Sequence, residues 1–197
     1  KLPATAAGLD ALEECAAEGM CVTATVSFTV PQVVAVAERY RKGLARAIEA
    51  GVIPRPCFAV IMIRRLDDYL RDVAMDSRSS VGESDIRQAG LAVTKRAVQI
   101  YKERGYEATL LVAALRGPYH MVELGGAEII MSIHPKIQAM LLQPNVPREA
   151  RIDVPIAPEV MERLRMLPEF VRAYEPDGMA PTDFITFAVT QRTLTQF

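Results

Sequence analysis

The stretch from Gly105 to Pro135, GYEATLLVAALRGPYHMVELGGAEIIMSIHP, constrains the fold more than any other part of the chain. An aliphatic run, Ala108–Leu115, stops at Arg116-Gly117-Pro118. A short helical segment then closes on Gly125-Gly126, and a second apolar run, Ile129–Ile133, ends at His134-Pro135. Short apolar runs without polar alternation, joined through a helix, read as parallel strands buried on both faces of an α/β protein. The arginine follows the carboxyl end of its strand, where barrels and doubly wound sheets bind their ligands.

The same alternation is present upstream. Thr5 to Glu18 reads as a helix with Leu9, Leu12 and Ala16 on one face, followed by a Val- and Thr-rich strand, Cys21–Thr29. Thr29 opens the next helix with a capping box to Gln32 and Pro31 in the first turn. Val33, Val34, Ala37, Tyr40 and Leu44 face inward, and Gly51 ends it. A second strand, Cys57–Ile63, runs into Arg64-Arg65-Leu66-Asp67-Asp68-Tyr69. The polar stretch Asp72–Gly82 reads as a loop on the ligand side. A helix from Ser84 to Arg104 then points Ile86, Ala89, Val93, Ala97 and Ile100 inward and stops at Gly105. Beyond Pro135 only helical segments follow, Ile137–Leu142, Pro158–Arg165 and Thr182–Thr195. The expected organisation is therefore one α/β domain over 1–197, with βα repeats over 1–135 and a helical tail over 136–197 that packs on the barrel.

Composition excludes several function classes. With half of its 197 residues hydrophobic the chain can bury a sizeable core, while a net charge of −1 and no long basic block argue against nucleic acid. The longest apolar run, Cys57–Ile63, is too short to span a bilayer, and no signal-like segment opens the chain, so a cytoplasmic protein without a membrane partner is expected. Cys15, Cys21 and Cys57 lack metal-ligand spacing and read as inert thiols. Two histidines, His120 and His134, are too few for a multi-histidine metal site. Four strands fall short of the eight in a (β/α) barrel, so the sequence fits either a small doubly wound sheet or part of a barrel.

The ordered set of motifs resembles the transaldolase family, nearly end to end from Lys1 to about Gln191. The opening KLPATAAGLDALEECAAEGM is similar to the segment that begins with the family's Schiff-base lysine at the end of strand four. GMCVTATVSFTVPQ resembles strand five, RRLDDY the Arg-x-x-Asp close of strand six, and the organising stretch strands seven and eight. FVRAYEPDGMAPTDFITFAVTQ resembles the C-terminal helix. The resemblance implies a parallel (β/α) barrel of the transaldolase type, of which this chain supplies strands five to eight and the C-terminal helices. The family's Asp, Asn and Glu from the first four strands have no counterpart here. A missing N-terminal barrel half is therefore implied as a partner, whether a separate chain, a cleaved piece or residues outside this sequence, and self-association stays open.

By the same resemblance Lys1 is the nucleophile that forms a Schiff base with an anionic ketose, with no metal and no cofactor. Burial among cations would keep its amine neutral. Thr25 stands where the family orients a water, and strand alternation puts Thr23, Thr25 and Ser27 on one face. Arg65 and Arg116 each follow a strand end, and their forked donors suit a phosphate or sulfonate; Arg64 competes with Arg65 for that role. Departures cluster around these positions: Thr23 replaces an Asn, Val60 and Met62 a Ser and an aromatic, and Ala114 a Ser. They point to a changed substrate or weakened activity. The implied function is transfer or release of a dihydroxyacetone unit from a phosphorylated or sulfonated ketose. The alternative is a non-catalytic barrel half that binds a partner.

Overall fold

A computed structural model describes residues 1–196. Five strands form one parallel sheet in chain order: β1 (Leu2–Pro3), β2 (Val22–Thr25), β3 (Cys57–Met62), β4 (Thr109–Ala113) and β5 (Ile130–Met131). Between them run α1 (Ala6–Ala17), α2 (Val30–Glu49), α3 (Ile63–Asp76), α4 (Glu83–Ile86), α5 (Ala89–Arg104) and α6 (Pro118–Glu123). The tail carries α7 (Pro135–Leu141), α8 (Pro158–Leu164), α9 (Pro168–Tyr174) and α10 (Ala188–Leu194). The chain is thus of the parallel α/β class.

The helix starts follow from their caps. The Thr5 hydroxyl accepts from the N–H of Gly8, and that of Thr29 from the N–H of Gln32, each meeting an amide that a helix start would leave unpaired. Helix α1 packs on α2, α2 on α5 and α3 on α5, so these helices form one layer on one side of the sheet. Register and burial agree with that layer. Ala24, Ala59 and Leu110 are aligned across three strands and buried beneath it, as are Ile61 and Val112. The alternate residues Thr23, Phe58 and Thr109 are also aligned but only half-buried. Leu111 and Ile130 continue that second face, with Ile130 43% exposed; Val60 is its one buried member among those aligned.

Burial on both faces, expected from the apolar runs, is therefore not found: the helices cover one face and no described element covers the other to the same extent. Both edges are blunted. β1 is two residues long and includes Pro3, which has no N–H to offer, and β5 is equally short.

Four further expectations change. β1 is a fifth strand whose pairing to β2 is non-local and leaves no run to read. Helix α3 continues through Val73 and Ala74, because the spacing of Leu66, Leu70 and Ala74 prolongs its buried stripe, so the polar loop shrinks to 77–82. The expected helix from Ser84 breaks at Arg87-Gln88 into α4 and α5. The stretch likened to one C-terminal helix is divided, with α9 at its start and α10 at its end; α9 packs on α5, α2 and α3, with Phe170 fully buried.

Candidate active site

The residues singled out in the sequence stand at two levels of the sheet. Lys1 and Thr23 are in register with Phe58 and Thr109 near the amino ends of β3 and β4, so Lys1 does not end a strand as expected. Arg64, Arg65 and Arg116 follow the carboxyl ends of β3 and β4. Lys1 precedes β1 at the sheet edge and is exposed. Since Leu2 pairs with Ala24 and Pro3 with Thr25, alternation sets Lys1 level with Thr23 on the less covered face, one residue pair below Thr25. Thr23 and Thr25 are half-buried. The burial expected for Lys1 is absent because β1 has no neighbour on its outer side. Strand β1 is three spacings from β4, about 14 Å along the sheet. Lys1, Thr23 and Thr25 therefore form one group, and the arginines form another.

Ser27 does not join the threonines. Strand β2 stops at Thr25, and Val26 adopts a left-handed conformation at φ 54°, an outlier for a β-branched residue. That reversal breaks the alternation and turns Ser27 inward, where its hydroxyl donates to the carbonyl of Val60 at 2.5 Å. The buried Gln32 holds the reversal. Its amide nitrogen donates to the carbonyls of Ala4 and Val26, both at 3.2 Å, and its oxygen accepts from the N–H of Phe28 at 3.0 Å and the hydroxyl of Thr29 at 3.1 Å. The capping box is modified accordingly, since Gln32 reaches past Thr29 to Phe28. Gln32 thereby ties the segment after Lys1 to the segment after Thr25.

The second group surrounds Asp68. Arg116 is ion-paired to it, Arg71 approaches at 2.8 Å, and Arg64 lies at 3.7 Å. Arg71 is shared with Glu83 at 2.6 Å. Arg65, in the first turn of α3, makes no ion pair among the described residues; the arginine of this dipeptide that lies near Asp68 is Arg64. Guanidiniums outnumber carboxylates here, and their remaining donors suit a tetrahedral anion. Ala114, before the Leu115-Arg116 turn, is left-handed at φ 56°. His134 is exposed and caps α7 by accepting the N–H of Lys136.

Two buried groups behind Arg116 escaped the sequence reading. Asp67 and His120 are both fully buried, and Asp67 accepts the N–H of Gly90 at 2.8 Å. A signal existed for each: Asp67 lies on the stripe of Ile63, Leu70 and Ala74, and His120 stands four residues before the buried Leu124. Burial pushes Asp67 up to about 8 and His120 down to about 3.

A groove of about 1730 Å³ lies at the amino ends of β4 and β5, the ends away from the arginines, lined by Lys95, Tyr106, Thr109, Ile130 and Ile156 among others, and touches none of Lys1, Thr23, Thr25, Arg65 or Arg116. Among the described residues no acidic, cysteine and histidine cluster could hold a metal ion, and no helix is long and apolar enough to cross a membrane.

The sequence pattern of the family described as Transaldolase/Fructose-6-phosphate aldolase matches residues 1–173. A probable transaldolase of Prosthecochloris aestuarii is 30% identical over 131 residues, 66% of this chain and 44% of the relative. A probable transaldolase of Dehalococcoides mccartyi is 25% identical over 146 residues, 73% of this chain and 53% of the relative. A transaldolase of Acidothermus cellulolyticus is 45% identical over 51 residues, 26% of this chain and 14% of the relative. The chain spans about half or less of the length of these relatives. With a parallel α/β sheet in place and a family pattern matched over most of its length, the chain belongs to the Transaldolase/Fructose-6-phosphate aldolase family.

Proposed function

We propose that this chain forms the second half of a (β/α) barrel that cleaves an anionic ketose through a Schiff base on Lys1. The observation that carries the reading is the incomplete cover of one sheet face. Phe58, Leu111 and Ile130 lie on the side away from the helices, with Lys1, Thr23 and Thr25 at its β1–β2 end. That side is where a barrel places its interior, and an N-terminal part with three more strands brings the five to eight, closes the barrel and pairs both short edges. Closure also buries Lys1, which lowers the cost of holding its amine neutral.

The amine of Lys1 attacks the C2 carbonyl of the sugar and water leaves, giving an iminium. A carboxylate of the missing N-terminal part takes the proton of the C4 hydroxyl, the electrons of the breaking C3–C4 bond flow into the iminium, an aldehyde departs and an enamine of dihydroxyacetone remains. Addition to a second aldehyde, or protonation, followed by hydrolysis regenerates the amine. Thr25 orients the water of these steps, with Thr23 beside it. Arg116 binds the terminal phosphate or sulfonate. Of the two adjacent arginines, Arg64 shares Asp68 with Arg116 and is the better second ligand, with Arg65 the alternative.

A second reading is a partner-binding barrel half without chemistry. The apolar character of Phe58, Leu111 and Ile130 favours it, as does the lack of a hydroxyl at Ala114. Borohydride reduction of the full protein with a ketose phosphate, followed by peptide mass analysis, separates the two. A stable three-carbon adduct on Lys1, lost in Lys1→Arg, supports the enzyme; a folded protein without adduct removes it.

A further inference from the structure

Of the four buried side-chain polar atoms that lack a hydrogen-bond partner among the described residues, Oδ2 of Asp67 and Nε2 of His120 lie together behind Arg116, and a third, the hydroxyl of Tyr119, belongs to the residue beside His120. Oδ2 and Nε2 are 3.9 Å apart, and the Tyr119 and His120 rings are 4.2 Å apart between centroids. An orphaned buried polar atom costs about 1–3 kcal/mol, so a cluster of them calls for a reason.

The partners of the other atoms supply one. Nδ1 of His120 accepts the backbone N–H of Arg116 at 3.2 Å, which leaves the ring proton on Nε2, aimed at Asp67. Oδ1 of Asp67 accepts the N–H of Gly90 at 2.8 Å and so ties the pair to the start of α5. Gly90 is required at that junction: a Cβ would lie 2.6 Å from the Ile63 carbonyl oxygen and 2.9 Å from Oδ1 of Asp67. The next residue along α3, Asp68, holds the guanidinium of the same arginine. Two consecutive aspartates thus stand at the two ends of Arg116, Asp67 facing the His120 ring that holds its backbone N–H and Asp68 paired directly to its side chain.

We infer that Asp67 and His120 are positioning residues that fix the turn from which Arg116 reaches the anion. This rests on the reading that Arg116 is the anion ligand. The turn needs such a brace, because Ala114 is held in the left-handed region two residues before Arg116. The brace also introduces no competing charge, since burial favours the neutral form of both members at neutral pH. A shift of about 1 Å closes the gap between Oδ2 and Nε2 to hydrogen-bond length.

Inorganic phosphate titrated into the full protein, together with hydrogen exchange of the Arg116 amide, tests the inference. His120→Leu removes both ring nitrogens; it speeds exchange of that amide and weakens phosphate binding, each by about tenfold. His120→Asn keeps an acceptor close to the Nδ1 position and restores protection of the amide. A folded His120→Leu protein with unchanged amide protection and phosphate affinity overturns the inference. If His120→Leu does not fold, Asp67→Asn decides. It keeps the acceptor for Gly90 but turns an N–H toward Nε2, so weakened phosphate binding supports the brace and unchanged binding sinks it. Arg116→Ala is the separate control. If phosphate binding survives in it, the anion reading fails, and protection of the Arg116 amide in the His120 variants still reports on the brace.

Discussion

Arg116 and Asp68 are ion-paired across the carboxyl ends of β4 and β3, and the same carboxylate also holds Arg71 and lies near Arg64. The one carboxylate that meets all three guanidiniums occupies donors that an incoming anion would use. Asp68→Asn removes that competitor and raises the local charge by one unit. Inorganic phosphate then binds about fivefold more tightly, the scale of one added charge a few ångströms away in a partly solvated site. Because Asp68 is 44% exposed, the same change alters stability by no more than about 0.5 kcal/mol. Calorimetric titration at low salt checks the affinity. Weaker binding would instead mean that Asp68 acts as a support for Arg116.

Gln32 makes a four-way junction between the segments that follow Lys1 and Thr25. Replacing it by leucine leaves the Ala4 and Val26 carbonyls and the Phe28 N–H without their partner in a buried site. The expected cost is about 2–4 kcal/mol, since each unsatisfied group carries a desolvation penalty. Gln32→Glu retains the acceptor but loses both donated bonds and brings in a buried carboxyl, so it is no rescue. Urea unfolding midpoints of the two variants measure this directly, and a midpoint unchanged in Gln32→Leu refutes the junction.

How much of this was legible in the chain depended on whether the determining contact was local. Thr5 and Thr29 announced their helices because a cap binds residues three positions away. Gly105 ended α5 for a similar local reason. Strand β1 was not readable as a strand: two residues carry no period, and their partners Ala24 and Thr25 lie more than twenty positions on. The runs around Phe58 and Leu111 looked buried on both faces because an apolar strand encodes a cover without saying which chain supplies it. Within the candidate site, the arginines showed by their place after strand ends. Asp67 and His120 carried no local mark of their role, because a polar residue on a short helix is as often solvated as buried, although both stand at core-facing positions of α3 and α6. Arg65 stands three residues before Asp68, as the Arg-x-x-Asp resemblance asks, and Arg64 stands four before it. On a helix, residues four apart are neighbours as readily as those three apart, and Arg64 is the residue that meets Asp68.

The raised Asp67 and lowered His120 give opposite pH dependences of stability. Asp67, at about 8 in the folded state, contributes stability that is fully present below its unfolded value near 3.9 and is lost as pH rises toward 8. His120, at about 3, contributes stability present above about 6.5 and lost as pH falls through 3. The charged groups that act on Asp67 are Arg116, Asp68 and Arg71, and those that act on His120 are Arg116 and Arg87. Between about pH 6.5 and 8 only Asp67 of this pair is changing its contribution, so the slope there isolates it. The expected loss across that window is about 1–2 kcal/mol, and Asp67→Asn flattens it. Urea midpoints at the two ends of the window check the difference. An equal slope in the variant assigns the effect to another group.

Gly8 links the first helix to the strand that carries Lys1. A Cβ at this position would lie 1.9 Å from the carbonyl oxygen of Pro3 and 3.3 Å from the hydroxyl of Thr5. Backbone cannot yield as a flexible side chain does, so Gly8→Ala must push α1 away from β1 or displace β1 along the sheet edge. Strand β1 is held by few contacts of its own: its pairing spans only Leu2 and Pro3, with Ala4 donating its N–H to the Thr25 carbonyl at 2.8 Å. The strand therefore gives way before the helix, whose Leu9 and Leu12 are fully buried. The expected cost is about 1–3 kcal/mol, as for other overpacked sites. Trapping at Lys1 with borohydride and a ketose phosphate should fall by more than that loss of folded protein explains. Circular dichroism of the variant measures the folded fraction, and the trapping yield is then compared per folded molecule. A variant that traps normally once corrected for unfolding would mean that the position of β1 does not control the reactivity of Lys1.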